Sequence, residues 1–238
     1  MEAKLSELVK RLREAARDNL TAVLLYGSAV TGEFLEKHSD LNVLCIVARA
    51  GSVELEQMHP AADWWIRQGN PAPLLFTFDE LARSADVFSI ELLDMKSRHR
   101  MLFGEDFLEK FEVPLRLHRL QVERELRINW LRLRQAVLGA PRQKKAHLAL
   151  MLDSVSTFCA LFRHALLAIG QPWVQTRREA VSAFAILTGA DPLGFNAILD
   201  FREGKQTRSQ VDMEAAMHAY LEFVEVVTND VDQRLSAS

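Results

Sequence analysis

The spacing of apolar residues changes character along the chain, and each change marks an element. Leu5, Leu8, Val9, Leu12 and Ala16 recur at helical spacing among charged residues, which predicts an N-terminal helix with one face on a core, ended at Asp18-Asn19. Thr21 to Tyr26 is a branched apolar run of strand length, and Gly27 supplies a tight exit where backbone can approach a ligand. Ser28 to about Lys37 predicts a short helix with Ser28 or Thr31 as cap. Asp40 to Val47 is apolar after its first three residues, as in a central strand covered on both faces, so its polar start needs explaining. A helix over Val53 to Ile66, anchored by Trp64 and Trp65, is expected to break or bend at Pro60. Leu74 to Thr77 predicts a short strand and Phe78 to Leu81 opens another short helix. Val87 to Leu93 has strand composition, with Ser89, Glu91 and Leu93 on one side, and Asp94 to Leu102 reads as an exit helix.

From Pro114 the pattern turns to long helices: Leu117 to Leu138, Lys144 to Ile169, Arg177 to Leu187, a short piece from Leu193 to Phe201, and Val211 to about Val231. Gly139-Ala140-Pro141, Gly170-Gln171-Pro172 and Gly189-Ala190-Asp191-Pro192 separate them, and such short connections imply antiparallel neighbours. The whole predicts an α+β protein. A mixed, twisted sheet with flanking helices occupies residues 1–112, and an antiparallel helical bundle follows over 113–238.

Composition adds a charge asymmetry. The net charge of -3 argues against a dedicated nucleic-acid or membrane-surface binder, yet residues 1–112 carry 13 basic and 19 acidic side chains and the remainder 16 and 13. Cys45 and Cys159 fall in apolar runs and suit core positions in a reducing compartment. The charged N-terminus lacks the apolar block of a signal peptide, and no run approaches the length of a membrane span, so a cytoplasmic location with no membrane partner is expected.

Asp40 and Asn42, two apart on a strand, share a face, while Leu41 and Val43 share the other. If the two strands are neighbours, both polar side chains look toward Gly27-Ser28, making a pocket suited to phosphate and metal. The plainer readings are a capped strand-to-helix turn at Gly27-Ser28 and ordinary loop polarity at Asp40-Asn42. Glu91 is a carboxylate in an otherwise interior run, or a strand-end acid that pairs with an arginine or faces solvent. Arg124 and Arg127 share a helix face that can close over phosphates or simply be solvated. Arg142 and His147 stand at an Arg-x4-His spacing seen in helical ribonuclease domains.

Gly27-Ser28, Gly32, Ser39-Asp40-Leu41-Asn42 and a later acid together resemble the nucleotidyltransferase superfamily of the DNA polymerase beta type, and the helical half is similar in architecture to kanamycin nucleotidyltransferase and small bacterial relatives. The resemblance implies a triphosphate held at Gly27-Ser28 by helix amides. It implies Mg²⁺ or Mn²⁺ held by Asp40, by the residue at position 42, and by a third carboxylate from a neighbouring strand, for which Glu91 is the match and Asp86 or Asp94 the alternatives. Asn42 stands where the family carries its second metal carboxylate. An amide keeps one oxygen acceptor but removes a charge and presents an NH₂, and two-metal phosphoryl transfer depends on bridging carboxylates. The expected function is therefore binding of ATP or another nucleoside triphosphate, with slow or absent transfer to an unknown small-molecule or macromolecular hydroxyl. The alternatives are an inactive regulatory module whose helical half binds a partner protein or itself, and a helical-domain ribonuclease.

Overall fold

In a computed structural model, residues 1–30, 40–141 and 143–236 are described. They divide into two units, Met1–Leu115 and Arg116–Ser238.

The first unit opens with α1 (Glu2–Ala16), which buries Leu5, Leu8, Leu12 and Ala16. Then come β1 (Leu20–Tyr26), β2 (Asn42–Val47), α2 (Ser52–Arg67), β3 (Leu74–Thr77), α3 (Phe78–Ser84), α4 (Ser89–Ser97) and β4 (His99–Phe103). The strands form one mixed sheet in the order β3-β2-β1-β4. β1 is antiparallel to β2 and β4, whereas β2 and β3 run parallel. Because β1 and β2 are central, both of their faces are covered, and this accounts for their almost unbroken apolar sequence. Val23, Leu25, Leu41, Val43, Cys45 and Val47 pack with α1 and α2. Ala22, Leu24, Leu44 and Ile46 pack on the opposite face with Leu81, Leu92, Met95, Leu108 and Phe111. The alternation expected of a strand therefore sorts its side chains between two cores.

Two local expectations are corrected. α2 runs through Pro60 without interruption, its face held by buried Met58, Ala61 and Trp65. The ring costs one intrahelical hydrogen bond on an exposed surface, which the packed face outweighs. Val87 to Leu93 is no strand: α4 begins at Ser89, and the segment read as its exit helix ends at Ser97 and becomes β4. A short apolar run fits either period, and burial of Ser89, Leu92 and Met95, three apart, selects the helix. Glu91 then lies in the first turn, where a negative charge suits the helix dipole.

The second unit contains α5 (His118–Gly139), α6 (Lys144–Ala168), α7 (Arg177–Thr188), α8 (Leu193–Arg202) and α9 (Met213–Ser236). α6 packs against the other four. Phe162, fully buried, meets Phe158, Phe184, Phe195 and Phe223 with ring centroids 5.3 to 6.1 Å away. Gly194 allows α8 and α9 to touch, since a Cβ there would lie 2.4 Å from the Tyr220 amide nitrogen. Thr176 caps α7 reciprocally with Glu179. Contrary to expectation, α6 is long and apolar enough to cross a membrane, with a mean hydropathy of 1.3 over its most apolar window, half of which is buried inside the protein. Eleven of its residues, from Leu148 to Ala168, are buried, as in a central bundle helix.

Candidate functional site

Tyr26, the last residue of β1, pairs with Asn42, the first of β2. The Gly27-Ser28 turn therefore leaves the sheet at the end where Asp40-Leu41 enters it. Gly27 has φ 79°, and a Cβ on it would come within 3.1 Å of Asn42 Nδ2. Bare backbone is what lets the amide lie against the turn. Gly27 to Ala29 forms one tight helical turn, closed by the Val30 amide donating to the Gly27 carbonyl at 3.1 Å. The helix predicted from Ser28 to Lys37, with Gly32 and Ser39, lies outside the described residues beyond this turn.

Asp40 is exposed, Leu41 is buried toward α1 and α2, and Asn42 is half-buried on the face that carries Tyr26. Asn70, a residue that sequence reasoning did not single out, secures this mouth. Its Oδ1 accepts from the Leu41 amide at 3.2 Å, across 29 residues of chain. The Gly69-Asn70-Pro71 break was the available signal, but only the parallel docking of β3 beside β2 shows which strand it serves.

Glu91 reaches the same end of the sheet from α4 and not from a strand. Burial, with the Glu91 charge second, pushes the Tyr26 phenol up to about 12. Tyr26 is thus a further member of the cluster, hidden in sequence because it ends an apolar run. Neither β3 (Leu-Leu-Phe-Thr) nor β4 (His-Arg-Met-Leu-Phe) carries an acid, so the third carboxylate expected from a neighbouring strand is missing from both. Asp86 lies between α3 and α4, and Asp94 is half-buried within α4. Among the described residues no group of three His, Cys, Asp or Glu side chains is placed to hold a metal ion. On β4, His99 faces Tyr26 in register and is fixed by Met95 O and Asp106 Oδ2, each at 2.9 Å. Burial raises the Asp106 pKa, but the hydrogen bond and charge of His99, with two backbone amides, outweigh it and hold the carboxyl below its usual range.

The two arginines proposed to cover phosphates are both engaged within the helical unit. Arg124 pairs with Glu125 at 2.8 Å, and Arg127 with Glu123 at 3.0 Å and Asp232 of α9 at 2.6 Å. Those hydrogen bonds, Asp232 first, raise the Arg127 pKa. His147 is half-buried on α6, and Arg142 lies outside the described residues.

The first unit is thus a mixed four-stranded sheet with flanking helices and a glycine-serine turn beside the Asp40-x-Asn42 strand entrance, and the second is a helical bundle. Among solved structures, the chain is similar to spectinomycin adenyltransferase AAD(9) from Enterococcus faecialis, crystallised with ATP and spectinomycin. The TM-score is 0.54 and identity 16%, with 99% of each chain covered. At that identity the likeness is one of fold. No protein-family model and no curated protein matches the sequence.

Proposed function

We propose that the first unit binds a nucleoside triphosphate at the Gly27-Ser28 turn and that nucleotidyl transfer from it is slow or absent. The observation that carries the reading is the Tyr26–Asn42 pair, which brings the turn and the Asp-x-Asn entrance to one end of the sheet. Backbone amides of a tight turn and a hydroxyl such as that of Ser28 are groups suited to phosphate oxygens. Asp40 offers one exposed carboxylate and Asn42 one amide oxygen, a donor set that fits a single Mg²⁺ whose other oxygens come from phosphate and water. A bound Mg²⁺ would neutralise phosphate charge and polarise the α-phosphorus toward attack by an acceptor hydroxyl, with pyrophosphate leaving. Glu91, in the first turn of α4 and close enough to act on Tyr26, is the remaining carboxylate of the pocket. With Asn at 42 and no acid on β3 or β4, the described residues do not supply the charge that two bridged ions require.

The same deficit favours a second reading, a nucleotide-responsive regulatory module without catalysis. One pair of measurements tests both. Saturating ATP with Mg²⁺ is expected to raise the melting temperature by on the order of 5 °C, as for ligand at about a hundredfold excess over Kd. Asp40→Ala should abolish the Mg²⁺-dependent part. No stabilisation by any nucleoside triphosphate at millimolar concentration overturns the nucleotide reading. Pyrophosphate release above background in an acceptor screen overturns the purely regulatory one.

A further inference from the structure

At the opposite end of the sheet, about 20 Å along β1 from Gly27, lies a cavity of about 930 Å³. The residues that form it belong to the first unit and have no part in the nucleotide reading. Its floor is the end of the sheet at Ala22 and Ile46. β1 is irregular here: its register slips between Leu20 and Ala22 against β2, leaving Thr21 out of the pairing and at the cavity wall. Gly104 completes the floor at φ 81°, where a Cβ would lie 2.3 Å from the Thr21 carbonyl oxygen, so only glycine lets the chain pass so close.

The wall opposite is a segment from Glu105 to Phe111 that is pinned at both ends. Asp106 accepts from the Leu108 and Glu109 amides at 3.0 and 3.3 Å and from His99 at 2.9 Å, and Lys96 Nζ donates to Phe111 O at 2.6 Å. Leu108 is fully buried between these anchors. Against this wall stands Phe78, nearly perpendicular to Phe107 and Phe111 with centroids 6.3 and 6.0 Å away. Phe78 is nevertheless 49% exposed, an unusual position for a ring with two aromatic neighbours.

Charge selects the occupant. Asp79, Glu105 and Glu109 line the cavity together with Asp106, against one cation, Lys110. Asp106 is consumed by the anchoring bonds, but the other three carboxylates make no ion pair among the described residues. An apolar cleft rimmed by uncompensated carboxylates concentrates cations, and an exposed aromatic ring in it attracts an ammonium head through its quadrupole. An anion is repelled, and a neutral apolar molecule gains nothing from the rim.

We propose that this cavity binds a small organic ammonium ion, with its apolar body on the Phe78–Phe107–Phe111 wall and its charge among Asp79, Glu105 and Glu109. The full-length protein is titrated with choline and, separately, with dimethylbutanol, its neutral carbon isostere, while the Ala48, Asp79 and Lys110 amides are followed by NMR. Choline is expected to move these amides saturably, at least fivefold more tightly than the neutral compound, and less tightly as salt rises. Phe78→Ala is expected to weaken choline about tenfold. Because that change also removes packing, the exposed pair Glu105→Gln and Glu109→Gln provides an independent readout and is expected to weaken choline about threefold per charge. Equal response to both compounds, unchanged affinity in the double glutamine variant, or no saturable shift overturns the assignment. ATP-dependent stabilisation measured on the same variants should be unaltered, so failure here and failure at the Gly27 turn are read separately.

Discussion

Asn42→Asp tests the metal assignment most directly, because it adds a charge with almost no change of shape. The side chain is half-buried with its amide nitrogen against Gly27, so the new carboxylate is confined where the amide now lies. Without metal it stands two residues from Asp40, roughly 6 to 7 Å off along an extended backbone. At that distance, in a largely solvated pocket, two like charges cost about 1 kcal/mol. A divalent ion about 4 Å from the new charge gains at least about 2 kcal/mol even with the dielectric of water, and more in a partly desolvated site. The variant should therefore be less stable than the parent alone by about 1 kcal/mol, and should bind Mn²⁺ at least about tenfold more tightly when a nonhydrolysable ATP analogue is present. Calorimetric titration of Mn²⁺ into each protein with the analogue saturating gives the affinities, and thermal melts without metal give the stability. Any residual pyrophosphate release should rise in parallel. Equal Mn²⁺ affinity in the two proteins would show that position 42 does not face the ion, and the metal reading of the Asp40–Asn42 entrance would fall with it.

Two further outcomes follow from the same structure. Glu91→Gln removes a charge that raises Tyr26, so the phenol should ionise at lower pH than its parent value of about 12, though still above an exposed tyrosine because burial is the larger cause. Absorbance titration resolves this, since the other tyrosine, Tyr220, is fully buried and raised well above the normal range; an unmoved Tyr26 would place Glu91 away from the site. In the helical unit, burial and then the neighbouring His164 push the His118 imidazole down from 6.5 to about 4. A base whose folded pKa is depressed binds its proton first in the unfolded chain, so stability is lost as pH falls from about 6.5 toward 4. The shift corresponds to roughly 3 kcal/mol; denaturant melts across that window should show the loss in the parent and a smaller loss in His118→Gln, and identical slopes would contradict the burial argument.

Part of the candidate site was legible in the residues themselves. The Gly-Ser turn and the alternation that sends Leu41 and Val43 to one side are properties of consecutive residues, and a two-residue period carries that alternation into the fold. The helical half was equally open to reading, because glycine and proline breaks punctuate long apolar periods and the helices follow within a few residues. Glu91 was not, since the run that holds it is short and apolar enough for either period, and packing of Leu92 and Met95 decided the matter. Arg124 and Arg127 could be placed on one helix face from spacing, but their neutralisation could not, because Asp232 arrives from α9 by tertiary packing. The sequence by itself determined which segments bury a face and which residue types stand at the strand mouths. Which strand lies beside which, that Asn70 holds the entrance to β2, and that Thr21 and Gly104 close on one another across the sheet were decided only when distant segments met. Local periodicity is set within a few bonds, whereas those contacts depend on how both cores fill.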